Sequence, residues 1–372
     1  MIDLETLRAT PDAGFDVPDD YDAANDFCLA RGWTDGLPVV PPTAERVARM
    51  LTYCHRRPDS TIAAIPPRYG AATVLRVAAN AVMAGCRPEY FPLVILAIEA
   101  LCEEPFNLYA VQATTHSCAP LIIVNGPVAK ELGMNAGHGA LGSGTHSNAT
   151  IGRAVRLSLV NIGGAIPGVG DMGTYGSPAK FSYCAPENET ASPWEPLHVE
   201  RGLPRDVSAV TVVSAEGPHN INDHESTSAA GILKTMAGTI ATIGGQNVYH
   251  PSSEIVVLIC PEHAATIAGE GYSKNDVKAY LFANARRALG EFSEENVRRR
   301  FKVKFGDRYL HSGPNERVPM VQSPDKYIPI VLGGAGKHSA YIPSFGNTLS
   351  VTRMLRLADG TPARSIHDFR QS

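Results

Sequence analysis

The chain has 372 residues, 44% of them hydrophobic and 19% charged, with a formal net charge of -4. That composition describes a globular protein with a large core and excludes a disordered or fibrous chain. Its acidic balance, with Arg298, Arg299 and Arg300 as the one dense basic run, argues against a nucleic-acid partner, whose binding draws on clustered Lys and Arg.

Seven cysteines, at 28, 54, 86, 102, 118, 184 and 260, form no CxxC pair and no zinc-ribbon spacing. An odd count of free thiols predicts a reducing, cytoplasmic setting. The first fifteen residues have neither a basic n-region nor an apolar h-region, so no secretory signal is expected. The apolar runs are too short for a membrane span. A surface somewhat poor in charge predicts a homo-oligomer with contacts to hide.

Three parts are expected: an arm with helices over 1–60, a first α/β half over 61–205 and a second over 206–372. Residues 1–20 are polar and proline-dotted, a surface arm. A short helix follows over 20–31, then the stiff, proline-rich crossing GWTDGLPVVPPT at 32–43, where Trp33 packs between elements or, with Asp35, lines a pocket. Thr43 caps a helix reaching 55. Two apolar helices, 69–85 and 88–102, belong to the core. The signal then turns to β: LYAVQA at 108–113 and LIIVN at 121–125 read as strands, followed by a helix at 128–132. A glycine-rich loop at 136–144 opens a helix over 149–162, and 163–205 has little periodicity, the mark of a functional or covering loop. Strands at 207–213, 255–260 and 328–332 alternate with helices near 261–268 and 273–288 and a charged helix at 293–300. The alternation predicts an α/β fold, with mixed or mainly parallel sheets and flanking helices.

The stretch around which the chain is organised is EGPHNINDHESTSAAGILKTMAGTIATIGG at 216–245. It places Glu216, His219, Asp223, His224 and Glu225 within ten residues, ahead of a buried helix capped by Ser226 or Thr227 and closed by Gly244 and Gly245. A helix N-terminus beneath ionisable groups suits a small anion. HSNAT at 146–150 and HESTS at 224–228 each lead into a helix that closes on Ile-Gly-Gly, which is the pattern of an internal duplication.

Three histidines, His116, His219 and His338, sit just past apolar strands, where open α/β sheets bind ligands. His219, His224 and Glu225 supply either a general acid/base pair or three metal ligands. His146, Ser147, Asn148 and Arg153 gather at a helix start, and Lys337 with His338 ends a glycine-rich turn; these are the expected substrate contacts. Cys184 is the thiol to test first, against the alternative of a buried inert cysteine, and Cys118 lies two residues from His116. GGAGKHS at 333–339 lacks the first glycine of a P-loop, GSG at 142–144 lacks the spacing of a hydrolase elbow, and no dinucleotide fingerprint is complete. Neither NAD nor ATP is expected as cofactor, and a divalent metal stays open.

GWTDGLPVVPPT at 32–43, NAVMAGCRPEY at 80–90, NATIGRAVR at 148–156 and PEHAATIA at 261–268 together resemble a poorly characterised bacterial family that occurs beside small proteins with a UGSC-type cysteine or selenocysteine motif. The four stretches span most of the chain. This sequence has His-Ser-Cys at 116–118 and no Gly-Ser-Cys, so the resemblance implies a small thiol or selenol partner and transfers no catalytic residue.

The residues therefore predict an enzyme that transforms a small polar or anionic molecule by acid/base, or metal-assisted, lyase or hydrolase chemistry. Two alternatives stand beside it: a subunit of a thiol-dependent redox complex, and a non-catalytic anion-binding module. The enzyme reading requires the imidazoles of residues 116, 219, 224 and 338 to meet around one cavity.

Overall fold

The computed structural model describes residues 14, 16–17, 19–250 and 253–371. The expected N-terminal arm lies almost wholly outside them. Helix α1 (Tyr21–Ala30) is capped by Asp20, whose carboxylate accepts from the Ala23 amide, and α2 (Ala44–Leu51) by Thr43. The two apolar helices are α3 (Val74–Ala84) and α4 (Phe91–Leu101). Every residue of α4 except Glu99 is buried, as a helix apolar all round must be. The first turns of the expected 69–85 helix are a strand instead: β1 (Thr61–Ile65) pairs with β2 (Gly70–Thr73) antiparallel, and Thr73 then caps α3.

The segment Leu108–Ala113, expected as a strand, is a short helix capped by the Asn107 side chain. Six mostly apolar residues, with Gln112 among them, suit either state, and the cap decides. Strand β3 (Ala119–Asn125) follows, then α5 (His146–Asn161), the short β4 (Cys184–Pro186), β5 (Ala209–Ala215) and β6 (His219–Asn222). Ser228, not Ser226 or Thr227, caps α6 (Ala229–Ile240), which stops short of the paired glycines. The second part holds β7 (Ile255–Ile259), α7 (Pro261–Gly269), α8 (Lys274–Asn284), a small ladder of β8 (Arg286–Ala288) with β9 (Arg317–Pro319), then β10 (Tyr327–Val331), β11 (His338–Pro343) and β12 (Val351–Met354).

The fold is α/β, and its two main sheets are mixed. One runs β12-β5-β3-β4 and the other β10-β7-β11-β6. In each, one outer pair is parallel (β3 with β4, β7 with β10) and the remaining pairs are antiparallel. The two sheets repeat one topology with an exchange. After β3, β4 and β5 the chain crosses to give β6 to the second sheet, and after β7, β10 and β11 it crosses back to give β12 to the first. At the crossing, Ala215 bridges Ser344, the Glu216 amide donates to the Pro343 carbonyl at 2.9 Å, and the Phe345 amide donates to the Ser214 carbonyl at 3.0 Å.

A boundary at 205/206 consequently fails to separate the sheets, because β5 and β12 both return to the first. The duplication seen in the His-Ser-Asn and His-Glu-Ser motifs is also displaced. Helix α5 follows the leading strand of its sheet, whereas α6 precedes β7, so the two motifs are not topological equivalents.

The first sheet lies against α4, with α3 and α5 packed beyond it, and α6 packs on α7 and α8 beside the second sheet. Among the described residues no helix is long and apolar enough to cross a membrane. Gly126, between β3 and the next helical turn, has φ +86°, and an added Cβ would lie 2.8 Å from Ser208 Cα and closer still to the Val207 carbonyl. Gly126→Ala should therefore cost roughly 2–4 kcal/mol through backbone strain and overpacking. Urea denaturation reads it; a loss under ~0.5 kcal/mol would mean that the 207–208 segment yields freely.

Candidate functional site

A cleft of about 890 Å³ opens where the strands cross. Its wall includes Glu216 and Gly217 just past β5, Ser117 before β3, Arg156 on α5, and Asp171, Thr174, Tyr175 and Lys180 from the loop after α5; Thr34 and Asp35 close one side. The long aperiodic segment 163–205 thus supplies much of the lining.

Glu216 is one of three carboxylates on the cleft wall, with Asp35 and Asp171. Its backbone is pinned by its own amide to Pro343 and by the Tyr183 hydroxyl, which donates to the Glu216 carbonyl at 2.9 Å. Its Oε1 lies 2.8 Å from His116 Nε2. His116 stands behind it, stacked on Phe345 with ring centroids 5.5 Å apart. Burial by itself would lower the His116 pKa, but the interactions with the Cys118 thiol and the Glu216 carboxylate outweigh it and push the value up to about 9. The ring is therefore cationic at neutral pH, and its Nε2–H donates to Glu216. Its Nδ1 is buried with no hydrogen-bond partner of good geometry among the described residues.

The same cleft holds a second charged group. Asp171 accepts from Arg156 at 2.8 Å and from Lys180 at 2.5 and 2.7 Å, and the Gly173 amide donates to it at 3.1 Å. Burial would raise the Asp171 pKa; Lys180, the Gly173 amide and Arg156 more than offset that and hold it below the ordinary carboxylate range. Burial lowers the Arg156 pKa, with Asp171 working against the shift. Two cations on one carboxylate make the Asp171 group locally positive, while Asp35, also on the wall, is paired with Arg153, and a low-dielectric wall strengthens the pull of that group on an anion.

The four imidazoles do not converge. His116 stands behind the cleft wall, on Glu216. His224 and His338 form a pair on the second sheet, Nε2 to Nε2 3.2 Å, and both are exposed. His219 sits on the other face of β6, against Tyr341 at 5.3 Å between centroids, because strand alternation sends it opposite to Asn220. Glu225 is exposed beside its neighbour His224. The expected set of His219, His224 and Glu225 is thus split over two faces, and among the described residues no three His, Cys, Asp or Glu side chains are grouped to hold a metal ion.

The expected substrate contacts are mostly committed to the fold. Asn148 donates to the Asn135 and Ala140 carbonyls and accepts from the Asn135 amide, clamping the glycine-rich loop. Buried Ser147 donates to the Gly133 carbonyl, and His146 lies against Tyr90. Arg153 makes a two-pronged ion pair with Asp35 at 2.8 Å and reaches the Pro38 carbonyl, tying the proline-rich crossing to α5. Trp33 is packed edge-on against Phe27. Lys337 donates to the His224 carbonyl at 2.8 Å, Gly336 gives its amide to Glu262, and the His138 ring fills the space over Gly334. The glycine turn is therefore not an anion cradle.

Cys184 is buried in β4, and burial with Cys86 nearby pushes its thiol pKa far up, which makes it a core residue and not a nucleophile. Asp171, Lys180 and Tyr183 went unnoticed in the sequence because they lie in a segment without periodicity. The length of that segment was the available signal. The chain matches no family model, and neither curated proteins nor solved structures yielded a match.

Proposed function

We propose that the protein is an enzyme acting on a small anionic molecule, a carboxylate in the first instance, by proton transfer in the cleft at the strand crossing. The observation that carries the reading is the Glu216 carboxylate on the cleft wall, 2.8 Å from a cationic His116 and in the same cleft as Arg156 and Lys180, two cations that share the one carboxylate of Asp171. In this reading Arg156 and Lys180 draw in the substrate anion. Glu216 exchanges the proton with the substrate, and His116, behind it, is a positioning residue that keeps the carboxylate charged and oriented. Proton abstraction next to a carboxylate leads to lyase or isomerase chemistry; activation of water leads to hydrolysis. The pinned Glu216 backbone favours catalysis over simple anion storage, since acid/base work requires a fixed geometry.

The test is a calorimetric screen of small mono- and dicarboxylates, with turnover of the binders followed by NMR. Native protein should bind at least one, and Lys180→Met should weaken that binding at least tenfold. Failure of the whole panel to bind, or equal binding by Lys180→Met, defeats the reading. Binding without turnover would favour the anion-binding module. Turnover that appears only when a small thiol or selenol protein is added would favour the redox-complex subunit.

A further inference from the structure

The exposed pair His224 and His338 lies outside the cleft, and its geometry points to a second site, one for a borderline transition-metal dication such as Zn2+, Ni2+ or Cu2+. The two Nε2 atoms are 3.2 Å apart, and with metal–nitrogen bonds of ~2.05 Å that separation subtends about 100° at a shared ion, close to tetrahedral geometry. The two rings meet edge to face, with centroids 4.9 Å apart and planes at 77°, so that their Nε2 atoms are each other's neighbours.

The rings are held there by the fold. His338 stands on β11 opposite Asn222, and its Nδ1 is 2.9 Å from the Asn220 Oδ1 on the adjoining strand. An amide oxygen only accepts, so Nδ1 carries the hydrogen and Nε2 keeps its lone pair free, which is the outer-shell arrangement that orients metal-bound histidines. His224 is fixed through its backbone. Its carbonyl accepts from Lys337, and the preceding Asp223 is buried, accepting from the Ser226 amide at 2.9 Å and the Thr235 hydroxyl at 2.7 Å. Asp223's carbonyl lies 2.9 Å from buried His263 Nε2, and His263 Nδ1 is 2.8 Å from the Ser339 hydroxyl, next in sequence to His338. Both imidazoles therefore hang from one buried polar network, and their closeness is specified rather than incidental.

Without metal, the His224 Nε2–H donates to His338 Nε2; a dication replaces that shared hydrogen and takes both lone pairs. Among the described residues no third His, Cys, Asp or Glu completes a set, so water or a small anion fills the remaining positions. The Lys337 ammonium is the cation nearest in sequence, and it is engaged with the His224 carbonyl.

The experiment uses untagged, chelator-treated full-length protein titrated calorimetrically with Zn2+, Ni2+ and Cu2+. One equivalent should bind, with His224→Ala and His338→Ala each weakening it at least tenfold. Asn220→Ala should weaken it by ~10- to 100-fold, as loss of an outer-shell partner does. His219→Ala, on the opposite face of the strand, should bind as the native protein does. The Cu2+ form should show hyperfine coupling to two imidazole nitrogens, lost in either alanine variant. No stoichiometric binding, native-like binding by His224→Ala or His338→Ala, or a loss confined to His219→Ala would each overturn the assignment.

Discussion

Glu216→Gln should lower turnover of the anionic substrate by ~10²- to 10⁴-fold while leaving its affinity within a few-fold of native. The substitution keeps the side chain's shape and its capacity to accept from His116 Nε2, and it removes only the carboxylate that exchanges the proton. A second readout needs no substrate. The Cys118 and Glu216 interactions, working against burial, push the His116 pKa up to about 9, so loss of the carboxylate should lower its NMR titration. Turnover retained within tenfold, or an unmoved imidazole titration, would remove Glu216 from the mechanism.

The same pair makes stability depend on pH. The folded pKa of His116 lies above its ordinary value of 6.5. Its contribution is therefore complete below pH 6.5 and lost as the pH rises through about 9. The native protein should become easier to unfold across that window, and Glu216→Gln should flatten the slope.

Asp171→Ala should destabilise the protein by ~3–5 kcal/mol, because it leaves Arg156 and Lys180 without their shared counter-charge inside the wall of the cleft. Arg156 has a side chain only 10% exposed and Lys180 one 14% exposed, so solvent compensates little. The triple variant Asp171→Ala, Arg156→Leu, Lys180→Met should recover most of that loss, since replacing a whole buried ionic group with apolar side chains is often neutral. Denaturant unfolding of the two variants is the measurement. A single variant losing under ~1 kcal/mol would show that the cations reach water when released. Acid unfolding offers a check on the sign. The Asp171 pKa is depressed, so its contribution stands above the ordinary carboxylate range and disappears as the pH falls through the folded value.

Much of the fold was legible because periodicity and caps are local. Thr43 starts its helix as expected, α4 is buried on every side, and β3, β7 and β10 occupy the apolar runs that announced them. What escaped was short or non-local. The helix at Leu108–Ala113 is too brief for its period to speak, and β6 and β12 owe their existence to partners more than a hundred residues away in sequence, while β11 is held between β6 and β7. The organising stretch at 216–245 did hold functional candidates, but its first residue, Glu216, turned out to matter more for the cleft than the histidines after it.

By itself the sequence determined the class of the molecule: an α/β chain with a large apolar core, helices bounded by their caps, and its ionisable groups concentrated past strand ends. Only the tertiary structure decided which of those groups meet. The antiparallel pairing of β3 with β5 brings Glu216 to His116 across a hundred residues, that of β6 with β11 sends His224 to His338, and the packing of loops on α5 commits Arg153 to Asp35 while Arg156 turns to Asp171. Side-chain period and capping act within a few residues of the chain, whereas the pairing of charges depends on strand order and register, which are properties of the whole packed sheet.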